Sequence, residues 1–143
     1  MNNTIRHSGI VVKDMKKSLN FWNKILKFKI LKKNIESGPK IDQLLGLKST
    51  KIITIKLCDK NKSVLELIEF IKPKSKKRKV YTNSHGPTHL AITVKNLKKI
   101  HKKLIKNNIK FNTIPIKSVD EKVLFTYCKS PEGAFVEFVQ ELK

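Results

Sequence analysis

Residues 88–99 read THLAITVKNLKK, and residues 6–17 read RHSGIVVKDMKK. Laid one on the other at a constant offset, His7 falls on His89, Ile10 on Ile92, Val12 on Val94, Lys13 on Lys95, Asp14 on Asn96 and Met15 on Leu97. Each copy reads as a short β-branched strand with a His near its start, then a capping residue, Asp14 or Asn96, then a helix. An internal repeat of this kind sets the architecture before any other feature is weighed.

The ends of the two copies match as well. Residues 63–70 (SVLELIEF) and 134–140 (AFVEFVQ) are strand-like runs with a carboxylate among apolar residues, and Glu66 aligns with Glu137. Each repeat therefore opens with a His and closes with a Glu. A lone Glu in a strand is ordinarily a solvated-face residue. Two of them, each matched to a His at the start of its own module, are poorly explained that way.

The remaining elements follow from periodicity and breakers. Residues 5–12 form the first strand, with His7, Gly9 and Val11 on one face and Ile10 and Val12 on the other. Met15, Ser18, Leu19, Trp22, Ile25 and Leu26 recur at helical spacing, a core stripe. A strand over 28–36 ends at Gly38-Pro39, and IDQLLGL over 41–47 is a helical insertion, either a lid or a surface loop. Strands over 51–58 and 63–70 flank a polar turn. The second copy gives a strand over 88–94, a helix over 97–107 with Ile100, Leu104 and Ile105 inward, and strands over 110–116, 123–128 and 134–140. The expected fold class is α+β: two tandem βαβββ modules, 5–71 and 87–142, joined by a basic linker, 72–86, within a single domain over 1–143. A module of about 65 residues is marginal alone, so the two should share one domain.

Composition bounds the function. The chain has 143 residues, 39% hydrophobic and 30% charged, which fits a soluble globular protein. It has no apolar run of about 18 residues, so no membrane span is expected. No charged-then-apolar leader opens it, and Cys58 and Cys128 sit in apolar strand-like runs without CxxC spacing. Reduced, buried thiols in a cytoplasmic protein are the expectation. The net charge of +21 would draw nucleic acid or anionic surfaces. Yet Arg6 and Arg78 are the only arginines, and the lysines are spread over every segment. That is a drift toward Lys at exposed positions, and nucleic-acid binding is the less favoured function. PKSKKRKV in the linker imitates a nuclear localisation signal, a match that chance supplies in so Lys-rich a chain.

Four stretches, HSGIVVKDMKKSLNFWNKILKF, LELIEF, HLAITVKNLKKI and YCKSPEGAFVEFVQ, together resemble the vicinal oxygen chelate (VOC) superfamily. That group includes glyoxalase I, methylmalonyl-CoA epimerase, bleomycin- and fosfomycin-resistance proteins and extradiol dioxygenases. The resemblance implies a cup-shaped, eight-stranded mixed sheet around one divalent metal ion, with His7, Glu66, His89 and Glu137 as ligands. Glu69 should point from the other face of its strand, and His85, in the linker, and His101, on the helix surface, match no ligand position. Two imidazoles and two carboxylates form a mixed N/O set suited to Ni, Co, Zn, Mn, Mg or Fe.

The function implied is a glyoxalase I-like lyase or an epimerase-like isomerase, moving a proton next to a carbonyl through a metal-stabilised enolate, with Glu137 or Glu66 as general base. A dioxygenase, a resistance-type protein or a metal-free ligand-binding protein of the same fold are the alternatives. Extradiol dioxygenases usually lack a ligand where Glu66 stands. The expected partners are a small-molecule substrate with adjacent oxygens and a second copy in a homodimer. Residues 41–47, Phe125 and Tyr127 are expected as pocket walls, and no residues assignable to glutathione binding are present.

Overall fold

The computed structural model describes residues 3–142. Its elements run β1 (Ser8–Val12), α1 (Met15–Leu19), β2 (Lys29–Ser37), α2 (Pro39–Leu45), β3 (Lys51–Cys58), β4 (Val64–Lys72), β5 (His89–Thr93), α3 (Leu97–Lys106), β6 (Ile116–Lys117), β7 (Val123–Lys129) and β8 (Phe135–Glu141). The chain divides into two compact units, Met1–Arg78 and Lys79–Lys143, inside the basic stretch. The eight expected strands form two four-stranded mixed sheets, one in each unit, ordered β1-β4-β3-β2 and β5-β8-β7-β6. In both, the first strand of the module lies parallel to its last, and the other neighbours are antiparallel. Among the described residues, no helix is long and apolar enough to cross a membrane.

The helices α1 and α3 begin as their sequences predict. The Asp14 side chain accepts from the Lys17 amide at 3.0 Å, and Asn96 accepts from the Lys99 amide at 2.9 Å. Each satisfies one of the amides that a helix start leaves unpaired. A second acceptor reaches in from the last strand of each module. The Met15 amide donates to Glu69 Oε2 at 3.3 Å, and the Leu97 amide donates to Gln140 Oε1 at 2.7 Å. Glu69 and Gln140 occupy corresponding places in the repeat, so the same tie between closing strand and helix start is built twice.

Alternation along the strands places the core. In the first module Ile55, Leu57, Leu65, Leu67 and Val12 are buried together with Phe21, Trp22 and Ile25. Phe21 was outside the expected stripe; it is buried because α1 continues as a π-helix over Asn20–Ile25. There the Leu26 amide reaches back to the Phe21 carbonyl at 3.0 Å, and the wider turn brings Phe21 and Trp22 inward, packed edge to face at 5.0 Å. In the second module Leu97 and Leu104 of α3 are buried, as are Val136, Phe138 and Cys128 in the sheet.

Two segments differ from expectation. The strand expected over 110–116 is reduced to β6 and an isolated bridge between Phe111 and Cys128. Pro115 brings no amide to a ladder, and Thr126 Oγ1 donates to the Thr113 carbonyl at 2.8 Å, a side chain standing in for a strand neighbour. The 41–47 insertion is the helix α2, beginning at Pro39 and closed by Gly46 in the left-handed region, φ 64°. Asp42 anchors it to the start of β3 by accepting from the Ser49 and Thr50 amides at 2.9 and 2.6 Å.

Candidate functional site

The parallel ladders decide which side chains meet. Gly9 pairs with Glu66 and Ala91 with Glu137, so a small residue stands beside each carboxylate. His7 and His89, two residues earlier on the same face, reach the carboxylates diagonally. His7 Nε2 lies 3.2 Å from Glu66 Oε2, and His89 Nε2 lies 3.5 Å from Glu137 Oε2. Both Glu side chains are largely covered, at 15% and 19% exposure, and both imidazoles are more open, at 30% and 40%. All four residues implied by the repeat are thus brought together as two pairs, one in each module. Among the described residues, no group of three or more His, Cys, Asp or Glu side chains gathers closely enough to hold a metal ion.

As a donor set each pair fits a divalent cation. One imidazole nitrogen and one carboxylate face each other from rigid neighbouring strands, and a neutral imidazole with an ionised carboxylate is a borderline-hard N/O combination. The other ring nitrogen is held differently in the two modules. Thr88 Oγ1 lies 3.1 Å from His89 Nδ1, fixing that ring, whereas His7 Nδ1 is buried without a hydrogen-bond partner. Glu69, on the face of β4 toward the helix, is occupied with the Met15 amide and takes no part. His101 packs against Phe111 with ring centroids 4.4 Å apart, so it is half-buried rather than on the helix surface. Cys58 and Cys128 are free and buried, as expected, and burial pushes the Cys128 thiol up to about 12.

The antiparallel neighbour of each carboxylate differs. Lys56 pairs with Glu66 across β3 and β4, and Tyr127 pairs with Glu137 across β7 and β8. Lys56 Nζ lies 3.7 Å from Glu66 Oε1, so the two oxygens of Glu66 face one imidazole and one ammonium. Tyr127 offers a phenol in the same place and stacks edge-on to His89 at 5.4 Å. Desolvation, then the charge of Glu137 and a hydrogen bond to it, push the Tyr127 hydroxyl above its ordinary range, so it keeps its proton and donates. Lys56 stood in the sequence as one lysine of many; its signal is that it precedes Glu66 by the same spacing as Tyr127 precedes Glu137.

A cavity of about 200 Å³ opens beside His89, lined by Thr82, Thr88, His89, Asn112, Tyr127 and Phe135. Tyr127 was expected as a wall and is one; Phe125 is not among the lining residues. Hydroxyls, an amide and an imidazole around an aromatic floor give a polar ligand several directional partners.

The fold has close counterparts among solved structures. A glyoxalase family protein from Bacillus cereus superposes with a TM-score of 0.88 at 18% identity, covering 99% of this chain and 97% of that one. A glyoxalase family protein from Enterococcus faecalis gives 0.69 at 22% identity over 95% and 96%. The trypanothione-dependent glyoxalase I of Leishmania major gives 0.63 at 20% identity over 98% and 88%. At these identities the likeness is one of fold. No curated protein sequence matches the chain. A family profile does, over residues 4–138, and with it the chain belongs to the glyoxalase/bleomycin resistance protein/dioxygenase superfamily.

Proposed function

We propose that the protein is a metal-dependent lyase or isomerase of this superfamily, of glyoxalase I or epimerase type, that moves a proton next to a carbonyl. The observation that carries this reading is the repetition of the His–Glu pair, at 3.2 Å in one module and 3.5 Å in the other. His7, Glu66, His89 and Glu137 would hold one divalent cation, drawn from Ni, Co, Zn, Mn, Mg or Fe. Such a cation supplies Lewis acidity to the adjacent oxygens of a small-molecule substrate. One of the two carboxylates, Glu137 or Glu66, takes the proton from the carbon beside the carbonyl and returns it. Tyr127 positions Glu137 with its hydroxyl, and Thr88 sets the ring of His89. The proposal includes a single domain over 1–143 with modules 5–71 and 87–142, a homodimer, and a reducing, cytoplasmic setting that suits two free buried thiols.

A metal-free ligand-binding protein of the same fold is the second reading. It is favoured by Lys56, which already gives Glu66 a cationic neighbour. Metal content separates the two. Protein purified without chelator should carry one divalent cation per chain, and His7→Ala, His89→Ala protein should lose it. Glu137→Gln should abolish turnover while the fold survives. A wild-type protein that stays empty after reloading, or a Glu137→Gln variant with unchanged turnover, overturns the first reading.

A further inference from the structure

A drift toward Lys does not account for where the acids are missing. Residues 70–119 hold fourteen of the 32 Lys and Arg and none of the 11 Asp and Glu. A bias that adds Lys at exposed positions does not empty so long a stretch of carboxylates. Within it lies α3, whose sequence LKKIHKKLIK carries five lysines. Leu97 and Leu104 are fully buried, while Lys98, Lys99, Lys102 and Lys106 are exposed, as is Lys95 just before the helix. Lys98, Lys102 and Lys106 follow at i, i+4 spacing, a row along the outer face with about 6 Å of rise between members. Among the described residues, none of these five exposed ammoniums is ion-paired.

The repeat shows what is left out. Helix α1 starts under two carboxylates, Asp14 at the cap and Glu69 from the closing strand. Helix α3 starts under Asn96 and Gln140, which accept the same two hydrogen bonds with uncharged amides. Glu137 and Glu141 of β8 alternate with the helix-facing Val136, Phe138 and Gln140 and leave from the opposite face of the sheet. The segment around Phe111, which packs on His101, contains no acid either. Like charges at i, i+4 repel, and cations in a first turn oppose the helix dipole. No carboxylate of the elements packed on α3 offsets this, and a polyanion outside it would.

We propose that the outer face of α3 binds the phosphate backbone of a nucleic-acid duplex without reading its sequence. Lysine ammoniums are point charges suited to phosphate oxygens, and with no arginine among them the face lacks the fork that reads base edges. It carries no aromatic side chain on which unstacked bases could lie, so a single strand fits it poorly. Ile105 is the one large exposed apolar residue of the helix, too little to seat it in a bilayer. Ile114, Ile116 and Val119, exposed elsewhere in this unit, run into Asp120 and Glu121, which an anionic bilayer repels. The surface lies on the other side of the sheet from His89 and Glu137, so it depends on no metal.

The test is fluorescence anisotropy of a labelled DNA duplex of mixed sequence, titrated with the full chain at stepped salt. A variant combining Lys98→Gln, Lys102→Gln and Lys106→Gln should make the slope of log affinity against log salt shallower by about 2.7, three phosphate contacts at about 0.9 each. Combining Lys40→Gln, Lys48→Gln and Lys60→Gln removes the same charge from exposed sites in the other unit and should move the slope by less than about one. Equal changes in the two variants reveal diffuse attraction by the net charge and overturn the proposal. The three α3 lysines changed to Arg should keep the wild-type slope, which guards against a fold lost in the Gln variant. Asn96→Asp with Gln140→Glu restores the carboxylates of the first module, removes no lysine, and should weaken duplex binding at low salt. Binding as tight as the wild type in that variant overturns the assignment to α3. Vesicles of phosphatidylserine and phosphatidylcholine form the last arm; if they, and not the duplex, distinguish wild type from the α3 Gln variant, the partner is a membrane and the proposal fails.

Discussion

Replacing Gln140 by Ala removes the oxygen that accepts from the Leu97 amide at 2.7 Å. Leu97 is fully buried, so water does not reach the amide left behind. An orphaned buried donor costs about 1–3 kcal/mol. Removing the exposed cap at Asn96, whose Lys99 amide can turn to solvent, costs about 1 kcal/mol. For a chain of this size, roughly 2–4 °C of melting temperature goes with each kcal/mol. Taken at about 2 kcal/mol, the middle of that range, Gln140→Ala should therefore melt about 4–8 °C below the wild type, and Asn96→Ala about 2–4 °C below it. Gln140→Glu, which installs the acceptor that Glu69 provides in the other module, should stay near the wild type. Far-UV circular dichroism of the full chain during heating reads all three. If Gln140→Ala melts no lower than Asn96→Ala, the tie between β8 and α3 does not hold the helix start and the reasoning fails.

Three further outcomes are expected. Lys56→Gln frees Glu66 from its ammonium, and because that pair is 30% exposed on the Lys side the gain should be small, a roughly fivefold tighter divalent cation; chelator competition measures it, and weaker binding would contradict the competition described. Neither Cys58 nor Cys128 should react with an aromatic disulfide reagent while the protein is folded, and both should react in denaturant, since both are buried. Hydrogen bonds from Thr50 hold Asp42 below its ordinary value of 3.8, so its contribution to stability is complete above that value and is lost as pH falls below it. Asp42→Asn should remove this part of the acid-side decline in stability, as read by denaturant titrations at stepped pH.

Much of this was legible because the chain says it twice. A strand, a capping residue and a helix at one offset made β1, β5 and both helix starts readable, and Asp14 and Asn96 cap as their residue types predict. The His and Glu at the two ends of each module were legible for the same reason, although only the parallel pairing explains why they meet. Glu69 and Gln140 were not legible as helix acceptors, because the bond depends on a strand that closes the module many residues later. The π-helix over Asn20–Ile25 was hidden, since apolar spacing reports which residues are inward and not how widely the backbone turns. The segment before β6 misled because Phe111, Ile114 and Ile116 make it read as a short apolar run, while Pro115 and the Thr113–Thr126 contact decide its pairing. Lys56 was masked by composition: among so many lysines, only burial and the ladder single it out.

The pairing of β1 with β4, and of β5 with β8, also orders events on the ribosome. At about 5–20 residues per second, several seconds separate the synthesis of His7 from that of Glu66. Through that interval β1 has no strand to lie against, because its ladder partner has not yet been made. The hairpin of β3 and β4 is the last part of the first module to be translated, and its completion is what closes the ladder on the waiting N-terminal strand. A nascent chain paused before residue 66 therefore carries a His without its Glu and a helix start without Glu69. Site formation and module closure become one event, and the same sequence repeats for His89 and Glu137.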